Sequence, residues 1–161
     1  MLFLMSEKIK GLNIVYTPAK NQGLEKLTKK IRESKGANMI SADSVGIKDL
    51  YKRFFSGENI IIASDLVPHK KGTYSHWFGK ECLCVDLVEK LSARDTHALY
   101  FVYFTAGKNK KYRFNCEKIN SPMSVDEMNK CFERAINKSP ELYGWEYKKF
   151  RKLSGSIKNI Y

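Results

Sequence analysis

At 161 residues, the chain has the length of one domain and can bury a sizeable core. Its content of 43% hydrophobic and 12% aromatic residues excludes an intrinsically disordered protein. The 29 Lys and Arg against 17 Asp and Glu give a net charge of +12, which predicts a polyanionic partner: nucleic acid, an anionic membrane surface or a phosphorylated substrate. A lysine-rich proteome would explain the same excess without any partner.

The apolar runs of the sequence are short. None approaches the roughly 20 residues that a bilayer-spanning helix needs. Residues 1–5 are too short and too poorly flanked for a signal peptide. Any membrane contact made by these 161 residues is therefore expected to be peripheral.

The N-terminal part of the sequence predicts a strand and then an amphipathic helix. Residues 12–16 predict the strand, which ends at a Thr-Pro pair. Leu24, Leu27 and Ile31 then recur at helical spacing with lysines on the opposite face. Gly36 is well placed to end that helix.

Three further elements are predicted before residue 65. Residues 38–40 predict a brief strand. Apolar residues at i, i+3, i+4 and i+7 predict a second helix, which Gly57 ends. Residues 59–64 form a continuous apolar run bounded by turn signals, as expected for a parallel strand buried on both faces. The apolar positions of the second helix are Ile47, Leu50, Tyr51 and Phe54.

The next part of the sequence predicts a loop, a helix and a hairpin. Residues 68–75 are polar and basic, which indicates a loop, and residues 85–93 predict a helix. Residues 98–104 predict a strand, and a turn at 107–110 lets residues 112–117 pair back on it. A capping box at residues 124–127 then predicts the start of another helix.

Strands that alternate with helices predict the α/β class, with a mainly parallel mixed sheet flanked by helices. In such sheets, ligands bind beyond the carboxyl ends of the strands. Ser64 and Asp65 stand at the end of the apolar run, so their loop is the first expected place for chemistry.

The four cysteines have no C-x-x-C spacing. Buried free thiols in a reducing compartment are favoured over a zinc site or disulfides. We expect neither a metal nor a cofactor. The cysteines are Cys82, Cys84, Cys116 and Cys131.

Residues 139–152 combine a helix-start signal, aromatic rings and a dense cationic cluster. Ser139 can cap a helix, and Pro140 suits its first position, which predicts a terminal helix. Tyr143 and Trp145 come next, followed by Lys-Lys-Phe-Arg-Lys. Flat ring surface beside fixed positive charge suits a phosphorylated, partly apolar ligand.

This segment resembles the closing motif of the late lipid A acyltransferases, the lauroyl and myristoyl transferases. Their motif is Pro-Glu-x-Tyr-x-Trp-x-x-Arg/Lys-Arg/Lys-Phe-Lys/Arg. Leu142 stands where the family has Gln, and Tyr147 stands where it usually has His. Four earlier matches occur in the family's order: Val-Tyr-x-Pro within residues 13–18, Arg-x-x-x-Gly at 32–36, Gly-x7-Asp at 57–65, and an aromatic-Phe-Gly turn at 77–79.

The resemblance implies a glycerolipid-acyltransferase-like fold and transfer of a fatty acyl chain from acyl carrier protein to a phosphorylated lipid A precursor. It implies a peripheral place on an anionic surface, the cytoplasmic face of the bacterial inner membrane. Residues 1–152 would be the C-terminal portion of the acyltransferase domain, and residues 153–161 a tail. No nucleic acid is expected as a partner.

The resemblance also implies a catalytic histidine separated by four residues from Glu or Asp, just before the strand at residues 12–16. That motif has no match here, so the chain is expected to be a truncated or split part of a longer enzyme. His76 and Glu81 have the right spacing, but they align with the family's aromatic turn. Gly79 between them opposes a helix, so the catalytic alternative is disfavoured.

The resemblance assigns site residues position by position. Arg32 and Asp65 match polar groove positions and are predicted to be catalytic; a guanidinium stabilises a phosphate or an oxyanion. The alternatives are a solvated helix face for Arg32 and a cap or turn role for Asp65. Trp145 could instead anchor the last helix in the core. The predicted substrate-binding residues are Phe78, Gly79, Tyr143, Trp145, Lys148, Lys149 and Arg151, and Lys152 belongs to the same cationic cluster.

Two other functions compete with the enzyme. A basic nucleic-acid-binding domain without activity would also explain the charge and basic-aromatic clusters such as residues 108–114. No nucleic-acid-binding motif is recognised in the sequence, which ranks this alternative second. An inert remnant with an incomplete core is the third.

Overall fold

The computed structural model describes residues 2–68, 71–94 and 97–154. The chain divides into two compact units, Met1–Ala63 and Ser64–Tyr161. A parallel sheet, two antiparallel hairpins and the helices around them confirm the predicted α/β class.

Within the described residues, the helices are α1 (Leu2–Lys8), α2 (Gln22–Glu33), α3 (Ser44–Phe55), α4 (Leu87–Ser92) and α5 (Val125–Lys138). The strands are β1 (Asn13–Tyr16), β2 (Asn38–Ser41), β3 (Ile60–Ile62), β4 (Thr73–Trp77), β5 (Lys80–Cys84), β6 (Leu99–Ala106) and β7 (Tyr112–Ile119).

The first unit is built on a parallel sheet of three strands in the order β2-β1-β3. The central strand β1 supplies the buried residue Ile14, which packs in a small core with Leu12, Ala37 and Met39. The predicted parallel pairing of β3 is confirmed. Its predicted burial on both faces is wrong: β3 is a half-buried edge strand with a neighbour on one side.

The two longer helices of the first unit begin at side-chain caps. The Asn21 side chain accepts a hydrogen bond from the amide of Leu24 at the start of α2. The Asp43 side chain caps α3, which buries Leu50 and Phe54 as the apolar spacing indicates. Helix α2, by contrast, buries none of its residues.

The second unit contains the hairpins β4–β5 and β6–β7, with α5 packed on β4 and β6. Helix α5 begins at the predicted capping box, in which Ser124 and Glu127 cap each other's backbone amides. Its apolar face packs against Trp77 of β4 and Phe101 of β6 in a single core. The antiparallel hairpin β4–β5 replaces the end of the loop predicted at residues 68–75.

The predicted helix over residues 139–152 is wrong. A short 3₁₀ turn spans Pro140–Leu142, and the described residues after it, 143–154, contain no helix. Side chains of this segment bind residues 65–68, and the carbonyl of Lys152 accepts a hydrogen bond from the amide of Leu83 in β5. These tertiary contacts override the local helix-start signal.

Among the residues that the structure describes, no helix has both the length and the apolar character needed to cross a bilayer.

Candidate functional site

Residues 147–152 lie along residues 65–68 in the second unit and bind their backbone. Lys149 Nζ donates to the carbonyl of Asp65 at 2.8 Å, Arg151 to that of Val67 at 3.3 Å, and Lys152 Nζ to that of Pro68 at 2.7 Å. We call these three side chains the basic clamp. The amide of Val67 in turn donates to the hydroxyl of Tyr147 at 2.7 Å. The clamp therefore fixes the backbone that carries Asp65.

Lys149 is the buried member of the basic clamp, with 2% of its surface exposed. Its ammonium lies 4.2 Å from the centroid of the Trp77 ring, a cation–π distance. Burial lowers the pKa of Lys149, and the neighbouring thiols and Asp65 oppose that shift. The structure thus places Lys149 in the interior, whereas Lys148 beside it is exposed.

Asp65 is half-buried at the start of the clamped segment. Burial raises the pKa of its carboxyl, and the charge of Lys149 partly offsets the increase. The preceding Ser64 is buried, and in the described structure its hydroxyl has no hydrogen-bond partner. A carboxyl with a raised pKa can exchange a proton more readily near neutral pH than an exposed one.

Two cysteines of β5 lie beside the clamp. The thiols of Cys82 and Cys84 are buried and 3.8 Å apart, and the amide of Asn129 donates to Cys84 Sγ at 3.3 Å. The contact with Cys82 lowers the pKa of Cys84 to about 6, with help from Lys149 and Asn129 and against the effect of burial. The same contact raises the pKa of Cys82. The contact therefore favours the thiolate form of Cys84 over that of Cys82.

The predicted buried thiols are confirmed for Cys82, Cys84 and Cys131. The prediction is wrong for Cys116, which is exposed on strand β7.

A row of four aromatic side chains runs from the clamp to the surface. Trp77 is buried and lies 6.4 Å from Tyr143, and Tyr143 lies 5.0 Å from Trp145, measured between ring centroids. Phe78 completes the row at 6.4 Å from Trp145. Trp145 is 57% exposed and Phe78 38% exposed, so the row ends in an open aromatic surface. Trp145 does not anchor the core, which was its alternative role.

The turn between β4 and β5 presents Phe78 in a strained conformation. The two turn residues, Phe78 and Gly79, have φ angles of 46° and 74°. A two-residue turn with both φ angles positive matches the twist of a hairpin, and glycine or asparagine normally fills it. A bulky aromatic residue there is an outlier, and such outliers cluster at functional sites.

Arg32 belongs to the first unit, on helix α2. Its guanidinium carbon lies 5.8 Å from the centroid of the Tyr16 ring, and Tyr16 hydrogen bonds to Glu25 at 2.5 Å. Burial and the Glu25 carboxylate raise the pKa of Tyr16 to about 12. Arg32 is thus half-buried against the sheet rather than fully solvated.

His76 and Glu81 occupy opposite positions across the hairpin β4–β5. These residues form strands and not a helix, as the presence of Gly79 predicts. Both side chains are exposed, and Glu81 accepts a hydrogen bond from Ser154.

The structure brings several predicted site residues into one neighbourhood of the second unit. Asp65, Lys149 and Arg151 meet at the clamp, while Phe78, Gly79, Tyr143 and Trp145 belong to the aromatic row and its turn. Sequence reasoning did not identify Cys84, Asn129 and Trp77 as neighbours of Lys149. Trp77 of β4 and Cys84 of β5 are apolar residues, which predicts burial, and Asn129 lies on α5; nothing in this pattern indicates a buried lysine beside them. Within the described ranges, no three His, Cys, Asp or Glu side chains are grouped closely enough to hold a metal ion.

Comparison with protein families gives a match to the family described as bacterial lipid A biosynthesis acyltransferase, over residues 1–152. A comparison with curated proteins finds no significant match. The family match covers nearly the whole chain, including the clamp, the aromatic row and the parallel sheet. The chain therefore belongs to the bacterial lipid A biosynthesis acyltransferase family.

Proposed function

We propose that this chain serves the transfer of a fatty acyl group from acyl carrier protein to a hydroxyl of a phosphorylated lipid A precursor, at the cytoplasmic face of the inner membrane. The family match over residues 1–152 carries the proposal. The clamp supports it, because the family-like closing motif holds the segment that contains Asp65.

The acceptor's phosphates would be bound by exposed cations. Lys148 is exposed and adjacent to the clamp, so it is our first candidate for a phosphate contact. Lys149 and Arg151 already donate to backbone carbonyls. We therefore propose that Lys149 acts mainly as a positioning residue for Asp65, and that half-buried Arg151 contributes charge near the acceptor.

The acyl chains of the acceptor would lie against the aromatic row. Phe78 and Trp145 offer exposed ring surface, and Trp145 directs its indole N–H to the carbonyl of Pro140 at 2.7 Å. An apolar ring with its polar group satisfied suits the boundary between head group and hydrocarbon. The strain at Phe78 fits this role, because the turn places a ring where a hairpin alone would favour asparagine or glycine.

The chemistry would be an acyl substitution. The acceptor oxygen attacks the thioester carbonyl, a C–O bond forms, the C–S bond breaks, and the hydroxyl proton ends on the released thiol. We propose that the carboxyl of Asp65, with its raised pKa, assists this proton transfer. The family resemblance also makes Arg32 of the first unit a proposed catalytic residue, because a guanidinium can stabilise negative charge.

Replacing Asp65 by Asn tests the catalytic proposal. We expect the rate of acyl transfer from acyl carrier protein to the lipid precursor, followed by mass spectrometry, to fall by about 100-fold, which is typical for loss of an acid–base group. Asp86→Asn is the matched control, since Asp86 lies in the same unit, is half-buried like Asp65 and pairs with Lys90. Equal rates for wild type and Asp65→Asn would remove Asp65 from the reaction.

A further inference from the structure

Helix α2 exposes the face that its sequence would bury. Leu24, Leu27 and Ile31 form one stripe along the helix, and they are 56%, 57% and 47% exposed. Scattered apolar residues are normal on a protein surface, but three in a contiguous stripe mark a surface that binds something apolar.

Polar contacts hold α2 with its apolar stripe turned away from the sheet. Glu25 accepts hydrogen bonds from the hydroxyl of Tyr16 at 2.5 Å and from the amide of Ala19 at 2.7 Å. Arg32 lies over the ring of Tyr16. The sheet of the first unit therefore holds α2 by Glu25 and Arg32, and this arrangement turns the apolar stripe outward.

Lysines cover the face of α2 opposite the apolar stripe, and one of them borders the stripe. Lys30 follows Leu27 by three residues and is its neighbour on the helix surface. Lys26, Lys29 and Lys30 are exposed and, with Glu33 and Ser34, line an open groove of about 430 Å³. A helix with an apolar stripe and a lysine-rich polar face is the pattern of a helix that lies in the interface of an anionic bilayer.

We propose that α2 seats the first unit on an anionic lipid bilayer, with Leu24, Leu27 and Ile31 in the acyl boundary and Lys26, Lys29 and Lys30 near the phosphates. The charge of the groove commits the partner to anionic lipid, because a second copy of the chain would present the same lysines. The inference rests on the proposed function for its setting, since a membrane-borne acceptor requires the protein at the bilayer.

Vesicle sedimentation tests whether α2 binds an anionic bilayer. Vesicles of phosphatidylcholine mixed with phosphatidylglycerol contain no lipid A precursor, so their binding does not depend on recognition of the acceptor. We expect the full chain to bind them, to bind pure phosphatidylcholine vesicles much more weakly, and to lose at least about tenfold in binding when Leu24 and Leu27 are both changed to Gln. Each Lys→Gln change at Lys26, Lys29 or Lys30 should cost about fivefold on the anionic vesicles.

The matched control changes Val45 and Phe55 to Gln, because these apolar residues of α3 are similarly exposed, at 76% and 58%. Far-ultraviolet circular dichroism checks that both double variants keep their helices. Equal binding by the Leu24/Leu27 variant and wild type would overturn the inference, as would equal losses in both double variants. A dimer that dissociates on the Leu24/Leu27 change, without an effect on vesicle binding, would identify a second copy as the occupant and would also overturn it.

A separate measurement of acceptor binding, set beside the vesicle experiment, distinguishes the two proposals. If vesicle binding depends on α2 but the chain does not bind the phosphorylated acceptor, the proposed function fails and the proposed bilayer contact of α2 is supported. If the chain binds the acceptor and vesicle binding does not depend on Leu24 and Leu27, the proposed bilayer contact of α2 fails and the proposed function is supported.

Discussion

Lys149 has a different place in the structure from the one its sequence neighbours suggest. It stands in a run of cations, which usually indicates a solvated surface, yet it is buried against Trp77 and bonded to the backbone of Asp65. The sequence shows that four of the five residues 148–152 are basic and that aromatic residues stand among and before them. It does not predict which lysine enters the core, because that depends on residues 84 positions away.

Lys149→Ala tests the structural role of the clamp. Removing the side chain leaves a cavity beside Trp77 and an unsatisfied carbonyl on Asp65, so we expect the free energy of unfolding to fall by about 2 to 4 kcal/mol in urea denaturation. Lys148→Ala is the matched control, and as an exposed change it should stay within about 0.5 kcal/mol of wild type. Equal stability of the two variants would show that the clamp contributes nothing to folding.

The buried thiol of Cys84 predicts a pH dependence of stability. Its pKa is about 6 in the folded chain, below the ordinary thiol value, so between pH 6 and 9 the unfolded chain binds the extra proton. The free energy of unfolding should therefore rise with pH across that window, by up to about 1.4 kcal/mol per pH unit. The contribution of Cys84 to stability is lost as the pH falls through the window to 6. Cys82, whose pKa is raised in the folded chain, keeps its proton there throughout this window.

The thiolate is tested by comparing pH profiles of chemical denaturation. Cys84→Ser should flatten the slope between pH 6 and 9, whereas Cys116→Ser, at an exposed position, should leave it unchanged. An identical slope in wild type and Cys84→Ser would assign the pH dependence to another group.

At the scale of elements, helices with periodic apolar residues were predictable from the sequence. Segments whose structure depends on long-range contacts or an unusual turn were not. The helix with Leu50 and Phe54 and the helix after the Ser124 capping box follow from spacing and capping alone. The β4–β5 hairpin was missed, because its turn uses Phe78-Gly79 instead of a recognised Asn-Gly or Asp-Gly signal. The terminal segment was predicted as a helix because its anchoring contacts are long-range.

The β4–β5 turn predicts a conflict between stability and ligand binding. Phe78→Asn puts a residue that tolerates positive φ at this position, so we expect thermal stability to be unchanged or raised, by up to about 1 kcal/mol. Loss of the ring beside Trp145 should at the same time weaken binding of the phosphorylated lipid precursor several-fold, measured by fluorescence titration. Tyr112→Asn, at an exposed aromatic residue of the other hairpin, is the control. Unchanged lipid binding by Phe78→Asn would remove the turn from the proposed site.

At the scale of the whole molecule, composition and strand–helix alternation were enough for the α/β class. They were not enough for the distribution of strands: of the strands in the described residues, three form a parallel sheet and the other four form antiparallel hairpins. The pattern of α2 predicted an amphipathic helix but not which face would contact the sheet. The hydrogen bond that the Tyr16 hydroxyl donates to Glu25 decides that orientation, and periodicity does not encode it.

The net charge of +12 acquires a more specific meaning once the fold is known. Part of the positive charge, in the clamp, binds the chain's own carbonyl groups. Lys148 and the lysines of α2 remain on the surface, where they can attract an anionic ligand. Charge alone therefore overstates the number of cations that can contact a partner.

Equilibrium binding of the phosphorylated disaccharide lipid, compared with the same lipid after removal of its phosphates, tests the central claim most directly. We predict that the full chain binds the phosphorylated form at least about tenfold more tightly, and that the difference shrinks as salt rises from about 50 to 200 mM. Equal affinity for the two forms at low salt would contradict the account.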